Sequence, residues 1–252
     1  MKSVLSIVAI VVALGSSFGA AHAAQPVKNV VLVHGAFADG SGWRAVSDIL
    51  SRDGYRVTVV QEPETSLEDD VAATTRAIKQ AAGPVVLVGH SYGGIVITQA
   101  GNLPEVQALV YVAALAPDAN ENLAEVRSKF PPSSNNVVKS TDGFLTINQE
   151  SFHHDFAADL PKADADFMAL SQVPVSERAL NAVVKDAAWR SKPSWYAVAT
   201  DDKKIDPDFE RFMAKRAGSV TVEVKGSHAV YVSQPKAIAD LIEKAAAGEN
   251  KK

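Results

Sequence analysis

The chain has 252 residues, 47% of them hydrophobic and 21% charged, which fits one ordinary globular domain with a sizeable core. A formal net charge of -4 gives no electrostatic footprint for nucleic acid or an anionic membrane surface. Cysteine is absent, so disulfides, thiolate metal sites and a cysteine nucleophile are excluded.

The N-terminus reads as a targeting segment. Lys2 supplies a positive charge, VLSIVAIVVALG (4–15) an apolar run, and AHA (21–23) a small-x-small cleavage site. The run is shorter than the roughly 20 residues of a membrane span, and no second one follows. Residues 1–23 are therefore expected to be a secretory signal peptide cut near Ala23/Ala24. Residues 24–252 would be the exported domain, periplasmic or secreted, without stable membrane insertion. The competing reading is an uncleaved N-terminal anchor.

From Asn29 onward, strand and helix patterns alternate. NVVLV (29–33) is an apolar strand, followed by a helix over 43–54 that stops at Gly54. A strand over 55–60 precedes a helix over 66–83, with Ser66 as N-cap and acidic residues in the first turn. A strand over 85–89, a helix over 93–101 and a strand over 106–113 come next. Regularity then fails from about 117 to 192, and resumes with a strand over 194–200, a helix over 207–218, a strand over 220–224 and a last helix from Pro235. This alternation implies a mostly parallel, doubly wound α/β sheet covered on both faces. The irregular segment is too long for a loop and is expected to be a helical cap inserted after the fourth core strand. Ligands in such sheets bind beyond the carboxyl ends of the strands.

Ser91 directly follows the third strand, within Gly89-His90-Ser91-Tyr92-Gly93. Gly-x-Ser-x-Gly between a strand and a helix is a nucleophile elbow, in which a strained turn lifts the hydroxyl above the sheet. The plainer reading is a glycine-rich turn without chemistry. A phosphate loop would need Gly-Lys-Ser/Thr, which is missing.

A serine nucleophile needs a base. His22 leaves with the signal peptide, and His90 is adjacent to Ser91 on a sharp turn that points the two side chains apart. His34 ends the first strand, and His153 and His154 lie in the cap. His228 stands in the loop after the last strand, on the same sheet edge as Ser91, and is the expected base. Its orienting carboxylate is sought in ATDDKKIDPDF (199–209). Asp206 and Asp208 flank Pro207 and read as helix-start residues, whereas spacing does not choose between Asp201 and Asp202. The oxyanion donors are expected to be the backbone N–H groups of Tyr92 and, in the loop His34-Gly35-Ala36-Phe37, of Ala36.

Gly40-Ser41-Gly42-Trp43-Arg44-Ala45 matches a dinucleotide fingerprint, with Glu62 about 20 residues on. Six residues separate it from the end of the first strand, where the fingerprint glycine should stand at once, and no Tyr-x-x-x-Lys pair exists. Among the cap residues Phe130, Phe144, Phe152, Phe156, Phe167, Met168 and Trp189, some are expected to line an apolar pocket, with none singled out.

Across the mature chain these motifs resemble the α/β-hydrolase family. VLVHGAFADGSGW, LVGHSYGG and ATDDKKIDPDF followed by GSH are similar to its branch of small esterases and hydroxynitrile lyases, the plant methyl-ester esterases among them. In that branch the triad acid stands five residues before the proline opening the next helix, which implies Asp202, with Asp201 second. The lyases resemble one another in a threonine after the first strand and a lysine after the catalytic histidine; here those positions hold Gly35 and Ala229, which favours the esterase. The resemblance implies a cofactor-free, metal-free serine hydrolase acting on a small-molecule carboxylic ester through Ser91, His228 and Asp202. Cyanohydrin cleavage, perhydrolysis of the haloperoxidase type, and a non-catalytic binding protein on the same scaffold are the alternatives.

Overall fold

The computed structural model describes residues 27–249, so the expected signal peptide at 1–23 lies outside the described residues. β1 (Asn29–Val33) is buried along its whole length, which is why it reads as an unbroken apolar run. A 3-10 turn over Gly40–Trp43 leads into α1 (Arg44–Arg52), then β2 (Arg56–Val59). α2 (Leu67–Gln80) starts where Ser66 Oγ accepts a hydrogen bond from the Asp69 amide, with Glu68, Asp69 and Asp70 facing the positive end of the helix dipole. β3 (Val85–His90), α3 (Gly93–Ala100) and β4 (Val106–Val112) follow.

Residues 113–193 form the insertion after the fourth core strand. Helices account for only part of it: α4 (Leu123–Arg127) is followed by β5 (Val137–Lys139), β6 (Phe144–Ile147), α5 (Gln149–Phe156), α6 (Lys162–Leu170), β7 (Val175–Ser176) and α7 (Glu177–Leu180). β5, β6 and β7 make a three-stranded antiparallel sheet. The expected helical cap is therefore mixed, because Asp142-Gly143 closes a hairpin between β5 and β6, with Gly143 at φ 87°.

The core resumes with β8 (Ser194–Ala199), α8 (Pro207–Arg216), β9 (Val220–Val224), a short α9 (Val230–Ser233) absent from the sequence reading, and α10 (Pro235–Ala247). Six strands form the central sheet in the order β2-β1-β3-β4-β8-β9, every neighbouring pair parallel. Successive side chains alternate faces. Val31, Val33, Leu87 and Tyr196 pack with Ile78, Ile95 and Phe209 from α2, α3 and α8. Val30, Leu32, Val88 and Trp195 pack with Leu50 and Ile242 from α1 and α10.

Strand order reverses between β1 and β3, which opens a crevice at the carboxyl edge. The register sets Val33 opposite Gly89, so the loops after these strands leave the sheet at one level. α3 abuts the end of β1 so closely that a Cβ on Gly93 would collide with the His34 carbonyl oxygen and stand 2.9 Å from that of Val33. Gly93→Ala should therefore lower stability by about 1–3 kcal/mol, the usual range for overpacking. Urea unfolding checks this: the midpoint should fall with an unchanged slope.

Candidate active site

Ser91 takes up a left-handed conformation, φ 51°, at the turn between β3 and α3. Its carbonyl oxygen accepts hydrogen bonds from the amides of Gly94 and Leu115, both 3.0 Å, which hold the turn from two sides. Phe37 (φ 66°) and Ala113 (φ 43°), just beyond β1 and β4, share this strained geometry. Gly35 is needed for space: a Cβ there would come within 2.5 Å of the Ser91 Cβ.

His228 and Asp202 converge on this serine. Ser91 Oγ lies 2.8 Å from His228 Nε2, and His228 Nδ1 lies 2.6 Å from Asp202 Oδ2. With Asp202 ionised, Nδ1 carries the proton and donates it to the carboxylate, which leaves the Nε2 lone pair facing the hydroxyl. The other Asp202 oxygen accepts the amides of Lys204 (2.7 Å) and Ile205 (2.9 Å). Asp201 has an exposed side chain and stays apart from His228, so the structure separates the two aspartates that spacing left equal. Asp206 caps α8 by accepting the Asp208 amide, and Asp208 pairs with Arg211.

The backbone around His228 is pinned by the cap. The Ala229 amide donates to the Phe156 carbonyl (2.9 Å) and the Ser227 amide to Asp159 (3.1 Å). His90 lies beside His228 with ring centroids 4.7 Å apart, and its Nε2 is 2.9 Å from the His228 carbonyl. Burial holds the His90 ring well below the usual histidine range, so it is neutral and donates through Nε2–H.

The N–H groups of Ala36 and Tyr92 make no hydrogen bond among the described residues, and both residues line the cavity beside Ser91. Ala36 is aimed by its neighbour. The Glu62 amide donates to His34 Nε2 (3.0 Å), so the proton of a neutral ring sits on Nδ1, which donates to the Gly35 carbonyl (3.1 Å). In a trans peptide the carbonyl and the following N–H point oppositely, so holding Gly35 O orients Ala36 N–H. Tyr92 is anchored through its hydroxyl, which donates to Asp70 (2.6 Å).

Beneath these loops sits a buried acid cluster that the sequence did not reveal. Glu64, with no exposed surface, gives its amide to Asp70, while Thr74 donates to Glu62. Burial pushes the Glu64 carboxyl up to about 10, and burial also raises Glu62 and Asp70. A second hidden acid, Glu210 on α8, is raised by burial and by the charge of Asp202 and accepts the Ala199 amide. Its place beside Phe209 on the buried side of α8 was the available signal.

The cap histidines do not reach Ser91: His153 bonds the Leu160 carbonyl, and His154 contacts Asp155 and Lys203. Nor do the expected cap aromatics line the cavity over Ser91. Phe152 and Phe156 stack as core, Phe130 stacks on Phe209, and Phe167 is exposed. Leu115, Val137, Leu145, Leu180 and Ile205 supply aliphatic wall instead, beside Phe37, Asn135, Arg127 and Lys204. Gly40–Trp43, the dinucleotide look-alike, is a capped 3-10 turn.

Glu64 makes stability depend on pH. Unfolded, it ionises near 4.5; folded, it keeps its proton to about 10. Between those values the unfolded state releases a proton that the folded state retains, so stability falls as pH rises across that window. Glu64→Gln, which cannot ionise, should show a shallower decline in melting temperature between about pH 5 and pH 9 than the parent protein. An unchanged slope would mean that Glu64 ionises alike in both states.

The sequence profile of the alpha/beta hydrolase family matches residues 30–241. Methylesterase 8 of Arabidopsis thaliana is 23% identical, over 84% of this chain and 87% of its own. The alpha-hydroxynitrile lyase of the same plant is 22% identical, over 84% and 94%. The crystal structure of a pyrethroid hydrolase from Sphingobium faniae superposes with a TM-score of 0.72 at 22% identity, covering 88% of this chain and 98% of that one. With a six-stranded parallel sheet, a strained serine at the end of β3 and a family profile spanning nearly the whole described region, this chain belongs to the alpha/beta hydrolase family.

Proposed function

We propose that the protein is a serine hydrolase of carboxylic esters. The observation that carries this reading is the unbroken relay from Asp202 through His228 to Ser91, beside two uncommitted backbone N–H groups. Ser91 Oγ attacks the ester carbonyl as His228 Nε2 takes its proton, and Asp202 stabilises the imidazolium. The N–H groups of Ala36 and Tyr92 bind the oxyanion; one such donor contributes about 2.7–4 kcal/mol to transition-state stabilisation. His228 then protonates the departing alcohol. Water, deprotonated by the same ring, attacks the acyl-enzyme and releases the acid and Ser91. No step requires a metal or an organic cofactor.

The esterase names among the relatives support this reading, whereas the alpha-hydroxynitrile lyase supports a lyase reading. Gly35 and Ala229 oppose the lyase: neither offers the hydroxyl or ammonium that would hold a leaving cyanide. A binding-only protein would not need a complete relay. Lys2, the apolar run 4–15 and Ala21–Ala23 favour export of the mature chain.

A fluorophosphonate probe should label the protein at Ser91, and Ser91→Ala should abolish both labelling and hydrolysis of p-nitrophenyl esters. Asp202→Asn should lower kcat by about 10⁴ by stabilising the wrong tautomer of the histidine. An unlabelled parent protein inert on activated esters refutes the proposal. Release of aldehyde and cyanide from a cyanohydrin, with no ester cleavage, would select the lyase.

A further inference from the structure

The cavity above Ser91 has a volume of about 310 Å³, at the small end for ligand sites. Two cations, Lys204 and Arg127, stand among its aliphatic walls, and none of its lining residues is acidic. Lys204 is only 6% exposed. Its ammonium opens on the cavity, where Nζ makes no hydrogen bond or ion pair among the described residues, and partial desolvation of a cation is costly unless it is paired. The carboxylates that act on it, Asp155 and Asp202, are committed elsewhere: Asp155 to His154 and Asn136, Asp202 to His228 and two amides. Arg127 comes from the cap and uses one donor, Nη2, on the Lys204 carbonyl (2.8 Å), so among the described residues the rest of its fork stays uncommitted. Burial depresses both cations, and Arg127 depresses Lys204 further. Lys203, the next cation along, turns away to His154.

Beyond Ser91, Tyr92 and His228, the two cations share the pocket with one neutral polar side chain, Asn135, and with apolar walls, and a neutral ester gains nothing from such a pair. A hydrocarbon wall would bind one better, without the desolvation penalty. An anion between them relieves their repulsion and supplies the missing acceptors, with the guanidinium matching a carboxylate in shape.

We propose that the natural substrate is a carboxylic ester bearing a second, ionised carboxylate, a half-ester of a small dicarboxylic acid, whose free carboxylate binds Lys204 and Arg127 while its ester carbonyl meets Ser91. The inference rests on the serine-hydrolase reading and narrows it to a substrate class. Hydrolysis consumes one water, breaks the acyl–oxygen bond, and yields the alcohol, the dicarboxylate and one proton. The dicarboxylate product retains the group that the cations hold, so it acts as a competitive inhibitor.

The test compares monomethyl with dimethyl esters of succinate, glutarate and adipate by titrating the acid released, in the parent protein, in Lys204→Met and in Arg127→Gln. For at least one chain length, the parent protein should favour the half-ester in kcat/KM by tenfold or more. Each substitution should lower that half-ester to diester ratio by about tenfold or more, chiefly through KM, and should weaken inhibition by the free dicarboxylate. Two substitutions on different elements guard against a folding defect in one of them. A parent protein that cleaves the diesters as well as or better than the half-esters, or ratios unmoved by both substitutions, overturns the substrate class and leaves the serine hydrolase standing. Failure to cleave any of these esters or p-nitrophenyl acetate overturns both.

Discussion

The pairing of β1 with β3 is the constraint on which the site depends. Because Val33 and Gly89 are level across the reversal in strand order, the peptide bearing Ala36 and the turn bearing Ser91 emerge side by side. Slipping this pair by one residue would turn Val31 and Val33 from one core to the other, so burial on both faces enforces the register. The same close fit requires small residues: Gly35 lies against Ser91, and Gly93 against the end of β1. Sheet packing and chemical geometry are here one requirement.

Most of the core was legible because buried parallel strands appear as apolar runs, as in Val30–Val33 and Val85–Val88, and helix starts carry local signals such as Ser66 and Asp206-Pro207. Ser91, His228 and the acid loop were legible because each follows a strand on one edge. The choice of Asp202 over Asp201 was not, since neighbours in a loop differ only in where they point; the family resemblance supplied it. The mixed cap escaped because its strands are two to four residues long and their turn, Asp142-Gly143, lay in a stretch without period.

Buried ionisable groups were the least legible feature. Glu62, Glu64, Lys204 and Glu210 are ordinary charged residues in sequence and would be read as solvated. Only tertiary structure puts them in the interior, where burial raises the acids above the usual carboxylate range and the lysine ammonium meets no hydrogen-bond partner among the described residues. They lie under the loops of Ala36 and Tyr92, behind Asp202 and beside Ser91, so the electrostatics of the candidate site come largely from residues that periodicity treats as surface.

The bonds from Phe156 and Asp159 to the loop of His228 make the cap more than a cover. The His228 ring is suspended between the sheet and the insertion, so a rearrangement of the insertion would displace it as well as reshape the pocket. Replacing this segment to alter selectivity, by natural recombination or by engineering, would have to preserve the contacts at Ser227 and Ala229 along with the new walls. Diversification of the chain is therefore most restricted where α5 ends.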